Sequence, residues 1–159
     1  GMEIGHMIIQ PNGILCGCGG RGCWERYGSA TALIQLAQLE MERDRSSEMW
    51  TIVDGDSFKV SGRTPFQAAR LGDAAAKRVL ANYLQGLSIG MINLVNILQP
   101  EIICLGGGVS NAEDDLLLNP LRELVWRGCF DKDHHVRIEK ASLGNDAGVV
   151  GAALLENLV

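Results

Sequence analysis

One histidine and three cysteines near the start of the chain have residue types and spacing that suit metal binding. His6 is followed by Cys16, Cys18 and Cys23 in a glycine-rich segment. Three thiolates and one imidazole are the ligand set of a closed tetrahedral zinc site, and the glycines let the backbone fold back so that the sulfurs meet. Because four protein ligands leave no open position for a reactive water, we expect a structural zinc ion. The alternative is three free cysteines in a loop, with His6 an ordinary strand histidine.

Two glutamates flank the expected metal ligands and suggest a binding site beside them. Glu3 lies three residues before His6, and Glu25 lies two residues after Cys23. A metal-bound histidine usually donates its second ring N–H to an oxygen atom. If the metal loop draws both carboxylates toward this N–H, two acceptors and one donor converge, which suits a ligand with vicinal hydroxyl groups. Taken separately, Glu25 is better explained as a solvated glutamate at a helix start, and Glu3 as a charge at a strand edge.

The first half of the chain predicts elements that would hold this loop. An apolar run over residues 4–10 predicts a strand, and helical periodicity begins after Ser29, which can cap a helix. Residues 49–63 fit either a loop or a weak hairpin. Thr64 and the following proline begin a short helix, and Asp73 caps a long helix that continues to about residue 98. The second half of that helix is apolar nearly all round, so it should be buried.

The second half of the chain predicts strands that alternate with helices. Residues 101–105, which include Cys104, predict a buried strand that ends in a turn of three glycines. Ser110 and Glu113 form a capping-box pattern, which predicts the start of a helix. Further expected elements are a helix over residues 116–129, a strand over residues 136–139 that begins at solvated His134 and His135, and a last helix capped by Asn145 and Asp146. This alternation indicates an α/β domain.

Composition and charge narrow the class of protein. The chain has 159 residues, of which 47% are hydrophobic, enough for the core of one domain. A net charge of −5 argues against direct nucleic-acid contact. The longest apolar run, over residues 86–98, is too short to span a membrane. Five cysteines, three of them crowded together, suit metal binding in a reducing compartment, so we expect a cytoplasmic protein.

Several motifs together resemble the ROK family, which contains bacterial sugar kinases, related repressors and N-acylhexosamine kinases. The resemblance begins with Glu3–His6 and Cys16–Ser29 and covers almost the whole chain. It continues through residues 69–73, 92–96, 100–103, 106–110 and 147–153. It implies that residues 1–159 are the large, C-terminal lobe of a two-lobed kinase with an actin-like ATPase, or ribonuclease H-like, fold.

The resemblance also implies roles for particular residues. The family's zinc ligands fall on His6, Cys16, Cys18 and Cys23, its sugar-contacting residues on Glu3, His6 and Glu25, and its adenosine-side loop on Gly106, Gly107 and Gly108. ATP and Mg²⁺ are the implied cofactors of the intact enzyme. The run Trp24–Tyr27 looks most like the glucokinase branch. The expected function is therefore the hexose- and zinc-binding lobe of an ATP-dependent kinase, with glucose as the expected substrate.

The family's phosphate loops and its catalytic aspartate have no counterpart in these residues, so no catalytic residue is expected here and the isolated chain should have no kinase turnover.

Two other functions remain open at this point. One alternative is the sugar-sensing domain of a repressor from the same family, and another is a zinc-stabilised interaction module. An apolar face left by the missing N-terminal lobe leads us to expect a homodimer.

Overall fold

The architecture consists of helices packed around one long helix, beside a small parallel sheet. A computed structural model of the chain describes residues 2–133, 136–143 and 147–155. The helices are α1 (Glu25–Gly28), α2 (Ala30–Arg43), α3 (Glu48–Ile52), α4 (Thr64–Arg70), α5 (Ala74–Leu98), α6 (Leu118–Gly128) and α7 (Ala147–Leu155), and the strands are β1 (Ile102–Leu105) and β2 (Arg137–Lys140). Short 3-10 turns cover Ile4–His6, Ser57–Lys59 and Gly108–Asn111. This arrangement confirms the expected α/β class.

Helix α5 is the element against which most others pack. Asp73 begins it, since its Oδ1 accepts the Ala76 N–H at 2.6 Å. The helix ends because Gln99 adopts the left-handed conformation, with φ 45°, and Pro100 cannot continue the hydrogen-bonding pattern. Helices α2, α4 and α6 pack against it. The predicted burial holds except in the last turn, where Ile97 is 72% exposed.

The core lies between α5 and the helices around it. Its fully buried side chains are mostly aliphatic residues and methionines, as the low aromatic content requires. The largest of them include Leu33, Met41, Met49, Met91, Leu121, Val125 and Ile138. These residues come from α2, α3, α5, α6 and β2, so the core forms without any contribution from the cysteine-rich loop. Among the described residues, no helix is both long and apolar enough to cross a membrane.

Strands β1 and β2 form a parallel pair, and α6 lies in the crossover connection that such a pair needs. Ile102 lies opposite Arg137, and Leu105 lies opposite Lys140. Alternate residues of β1 are exposed, so Cys104 is exposed rather than buried as the apolar run predicts. The glycine turn expected after β1 is present and leads into the 3-10 turn Gly108–Asn111.

The predicted strand over residues 4–10 is wrong. The His6 N–H donates to the Glu3 carbonyl at 3.0 Å and the Met7 N–H donates to the Ile4 carbonyl at 3.1 Å, which closes a 3-10 turn instead. Only an isolated antiparallel bridge between Ile8 and Cys23 remains of the expected strand. Ile8 is 64% exposed, so its apolar character does not reflect a buried strand face.

Two further predictions fail for local reasons. Residues 49–63 were expected to form a loop or a weak hairpin, but they begin inside helix α3. Ser47 starts this helix, since its hydroxyl accepts the Met49 N–H at 3.2 Å. Ser110 does not cap a helix, because its hydroxyl donates to the Gly107 carbonyl at 2.7 Å inside a 3-10 turn. The predictions for His134, His135, Asn145 and Asp146 lie outside the described residues.

Replacing Asp73 by alanine should destabilise the fold by about 2 kcal/mol, since two capping interactions are lost at once. Asp73 Oδ1 caps α5, and its Oδ2 accepts the Glu48 N–H of α3 at 2.7 Å. Urea unfolding measures the change. The matched control is Asp56→Ala, because Asp56 caps only the short 3-10 turn at Ser57–Lys59. Equal losses of stability in the two variants would contradict the double role of Asp73.

Candidate metal centre and adjoining cleft

The four predicted ligands converge in the structure. His6 Nδ1 lies 3.8 Å from Cys16 Sγ, and Cys18 Sγ lies 3.6 Å from Cys23 Sγ. All four ligand atoms lie within 4.8 Å of one another. A tetrahedral site with metal–sulfur bonds of about 2.3 Å requires sulfurs about 3.8 Å apart. The cluster can therefore hold a metal ion, and its spacing and its thiol and imidazole donors fit a closed tetrahedral site.

Backbone hydrogen bonds give the cysteine-rich loop its shape. The Cys16 N–H donates to the Gly20 carbonyl at 2.8 Å. This hydrogen bond closes a tight turn over residues 16–20, which carries the first two cysteines. An antiparallel bridge pairs Leu15 with Arg21. The Trp24 N–H donates to the Met7 carbonyl at 2.8 Å, which brings the end of the loop alongside the turn that carries the histidine.

The electrostatics of the loop favour a bound cation. Hydrogen bonding by the Gly20 backbone lowers the pKa of the Cys18 thiol. Burial, reinforced by the neighbouring sulfurs, raises the pKa of the Cys23 thiol to about 11. Several thiolates at this separation repel one another unless a cation lies between them, so a metal must displace the Cys23 proton to form the full ligand set.

The buried side chains of the loop are those of two cysteines of the cluster. Cys16 and Cys23 are 4% and 2% exposed. In contrast, Ile8 is 64% exposed and Leu15 is 58% exposed. The hydrophobic effect therefore contributes little to holding the loop, and metal coordination is the main interaction available to fix its conformation.

The two glutamates lie close to the histidine in different ways. Glu25 is the first residue of α1 and packs against Gly5, so that a Cβ built on Gly5 would lie 3.9 Å from Glu25 Oε2. Glu3 is the residue at the start of the 3-10 turn that contains His6, and its side chain is exposed. The His6 ring turns Nδ1 toward Cys16, which leaves Nε2 for a second partner.

Glu25 lines an open cleft of about 230 Å³. The other lining residues come from the first turn, α1 and α5: Ile4, Gly5, Trp24, Gly28, Ser29 and Leu87. A second cavity of about 220 Å³ shares Gly28, Ser29 and Leu87 with this cleft and extends to the glycine turn after β1. The second cavity thus adjoins the cleft beside the metal cluster and reaches Gly106, Gly107 and Gly108.

A third cavity of about 300 Å³ opens on the other side of the glycine turn. It shares Gly108 and Val109 with the second cavity, and Phe66 and Leu116 add apolar walls. Arg70 lies at its edge and pairs with Glu113 and, at 2.8 Å, with Asp115. This ion pair lowers the pKa of the Asp115 carboxyl group. Each of the three cavities therefore adjoins the next, from the cleft at Glu25 to the cavity beside α4.

The sequence reasoning missed the residues that join the cleft to the scaffold. The Trp24 indole N–H donates to the Gly86 carbonyl of α5 at 3.1 Å, and the Tyr83 hydroxyl donates to the Gly28 carbonyl at 3.1 Å. Burial of Tyr83 raises its pKa to about 12. The sequence did contain a signal for these contacts, namely Gly86 and Gly90 inside a long helix. Glycine disfavours a helix, so its presence there points to a close packing contact.

Comparisons with known proteins identify relatives along the whole chain. The model of the ROK family matches residues 1–157. A glucokinase from Streptomyces coelicolor is 35% identical over 161 aligned positions, which cover 95% of this chain and 49% of that protein. The DNA-binding transcriptional repressor Mlc of Escherichia coli is 30% identical over 158 positions, which cover 98% of this chain and 37% of that protein.

Solved structures agree with these relatives. The crystal structure of a ROK family glucokinase from Streptomyces griseus in complex with glucose and AMPPNP has a TM-score of 0.86 at 33% identity, covering 96% of this chain and 50% of that chain. The chain thus spans about half the length of the glucokinases it matches. Its fold is that of the sugar kinases with an actin-like ATPase architecture. Because the family model covers nearly every residue, and a glucokinase of 35% identity aligns with 95% of the chain, the chain belongs to the ROK family.

Proposed function

We propose that this chain is the hexose- and zinc-binding lobe of an ATP-dependent sugar kinase, with glucose as the hexose. The observation that carries the proposal is the pair of neighbouring cavities, with three lining residues in common, that lie between Glu25 and the glycine turn at Gly106–Gly108. Phosphoryl transfer requires that acceptor and donor be held end to end in one groove. The complex of the Streptomyces griseus relative with glucose and AMPPNP supports both ligands.

On the sugar side, Glu25 is the proposed main acceptor for substrate hydroxyl groups. Its carboxylate lies at the cleft, and a carboxylate can accept two hydroxyl hydrogens at once. His6 Nε2 and the exposed carboxylate of Glu3 supply a further donor and acceptor from the neighbouring turn. Zinc held by His6, Cys16, Cys18 and Cys23 would keep this turn and α1 together, which is a structural role.

On the nucleotide side, Gly106, Gly107 and Gly108 are the proposed contact residues. Gly107 has φ 82°, a conformation that favours glycine, and a Cβ at Gly107 or Gly108 would meet no neighbouring atom within 4 Å. This leaves open backbone for a ligand to approach. The third cavity, with its apolar walls from Phe66, Val109 and Leu116, has a size that suits a purine base. ATP would bind here with Mg²⁺ in the intact enzyme.

A sugar-sensing domain of a ROK repressor is the second candidate function. The observation in its favour is that Mlc and a putative xylose repressor from a Caldicellulosiruptor species, 32% identical, match nearly the whole chain. The proposed sugar residues serve either function. The two differ in nucleotide binding, because a repressor that senses sugar needs no ATP. Calorimetric titration with ATP in the presence of glucose separates them, and binding that is lost when Gly108 is replaced by a bulky residue favours the kinase.

Replacing Glu25 by glutamine should weaken glucose binding by about 10- to 100-fold, because charge-assisted hydrogen bonds become neutral ones. Isothermal titration calorimetry measures the affinity, and metal analysis checks that zinc content is unchanged. Glu42→Gln, on the exposed surface of α2, is the matched control and should bind glucose as the unmodified chain does. Unchanged binding in Glu25→Gln would remove the support for this sugar site and favour the zinc-stabilised interaction module.

Assembly and compartment complete the proposal. Helix α7 presents exposed apolar side chains, including Val149 at 72% and Leu154 at 58% exposure. A second copy of the chain could cover such a surface, so the homodimer stays a prediction. A zinc site with three thiolates persists in a reducing compartment, which is why we propose the cytoplasm.

A further inference from the structure

We infer that Trp24 is a positioning residue for Glu25, and that Gly86 and Gly90 of α5 form a notch that seats it. The inference rests on the proposed role of Glu25 in sugar binding. It adds that Trp24, Gly86 and Gly90 affect sugar binding by holding Glu25 in place, without hydrogen bonds of their own to the sugar. The notch is defined here by these two glycines, which lie four residues apart on one face of α5.

The notch allows α1 to approach α5 more closely than any side chain would permit. A methyl group on Gly90 would overlap the six-membered and five-membered rings of Trp24. A methyl group on Gly86 would lie 2.8 Å from Tyr27 Cβ and 3.0 Å from the Tyr27 carbonyl oxygen. The Trp24 indole N–H donates to the carbonyl of Gly86 at 3.1 Å, which fixes the ring within the notch.

Two glycines in the interior of this 25-residue helix need a reason. Glycine is the weakest helix former after proline, since its backbone loses the most freedom on folding. No left-handed conformation explains them, because neither glycine has a positive φ. The close approach of Trp24 and Tyr27 is the interaction that requires both positions to lack a side chain.

The position of Glu25 depends on the notch because α1 is not stable without contacts to the rest of the protein. A helix of four residues is too short to be stable in isolation, so its orientation follows from its anchors. Cys23, the residue before Trp24, anchors the start of α1 at the metal cluster. At the other end, the Tyr27 hydroxyl accepts the Ile14 N–H at 3.0 Å. The metal fixes one point of the segment, and Trp24 fixes the rotation of Glu25 about that point.

The lining of the cleft agrees with this arrangement. Trp24 and Glu25 line the same cleft, together with Leu87 from the turn of α5 between the two glycines. A shift of the indole out of the notch would therefore move the carboxylate and reshape the opposite wall of the cleft together. The zinc ligands would stay in place, because they are joined to one another through the metal.

The test is Gly90→Ala, which fills the notch without replacing a metal ligand or a residue that lines the cleft. We expect the glucose dissociation constant to rise at least tenfold at 25 °C, with zinc content unchanged. Gly151→Ala is the matched control, because Gly151 is also helical but a Cβ there meets no atom within 4 Å. This control should bind glucose normally. A lower melting temperature of Gly90→Ala with an unchanged dissociation constant would show a merely structural role and overturn the inference.

A second variant keeps the test valid if Gly90→Ala folds poorly. Trp24→Leu removes the indole, leaves room in the notch, and should also weaken glucose binding while zinc is retained. Adding Gly90→Ala to Trp24→Leu should weaken binding no further, because the group that the new methyl displaces is gone. Additive losses, or normal binding by Trp24→Leu, would overturn the positioning role. Absence of glucose binding in the unmodified zinc-loaded chain would instead overturn the proposed function, and this inference with it.

Discussion

Removing the metal with a chelator should release the loop between Met7 and Gly22 and abolish glucose binding, while α2 to α6 stay folded. The reason is the uneven distribution of burial: the core side chains lie in the helices and β2, whereas Ile8 and Leu15 of the loop are more than half exposed. Metal coordination in small structural sites contributes on the order of 10 kcal/mol or more to local folding, which no other interaction of this loop can replace.

Three measurements check this prediction. Far-ultraviolet circular dichroism should change little, since the helices do not depend on the metal. Trypsin should gain access to the bond after Arg21, whose guanidinium donates to the Gly13 carbonyl at 3.3 Å in the folded loop. Calorimetry should detect no glucose binding until zinc is returned, and Mg²⁺ should not substitute because thiolates are poor ligands for it. A metal-free chain that resists trypsin and binds glucose would contradict a structural role for the cluster.

The same site predicts a direction for the pH dependence of zinc affinity. Burial raises the pKa of Cys23 to about 11, so at neutral pH the metal-free thiol keeps its proton. Zinc uptake must release that proton, and protons compete with the metal. Affinity should therefore rise as the pH rises and fall as it is lowered, with proton release detectable by calorimetry in buffers of different ionisation enthalpy.

The convergence of His6 with three cysteines was predictable from the sequence because the cysteines are close together in the chain. Cys16, Cys18 and Cys23 lie within eight positions, and few other structures require that spacing. Helix starts were also predictable where one side chain decides them: Ser29 accepts the Ala32 N–H at 3.1 Å, and Asp73 accepts the Ala76 N–H, as expected. Local chemistry sufficed in these places.

Predictions failed where long-range contacts override local pattern. The apolar residues before the first cysteine suggested a strand, yet the chain forms a tight turn there, in which Gly5 packs against Glu25 and His6 lies beside Cys16. The cavity that lies between the cleft and the glycine turn is lined by Gly28 and Leu105, which are more than seventy residues apart in the chain. The notch in α5 has the same origin, because only the structure shows which side chain fills it.

Gly22 offers the sharpest test of how the loop geometry sets metal affinity. It adopts φ 78°, a left-handed conformation that disfavours any other residue by about 1–2 kcal/mol. In addition, a Cβ at this position would overlap the Gln10 carbonyl oxygen and lie 2.7 Å from its carbonyl carbon. Backbone atoms cannot rotate away as a side chain can. Gly22→Ala should therefore lower zinc affinity by about 100-fold or more, since Cys23 is the next residue.

The chain provides a matched control for this variant in Gly19. Gly19 has a similar φ of 87°, but a Cβ there would meet no atom within 4 Å. Gly19→Ala therefore carries the conformational strain without the overlap, and its zinc affinity should fall by only about 5- to 30-fold, which corresponds to about 1–2 kcal/mol. Competition with a chromogenic chelator measures both. If the two variants lost affinity equally, the contact between Gly22 and Gln10 would not be what aligns Cys23, and strain in the loop backbone alone would account for the effect.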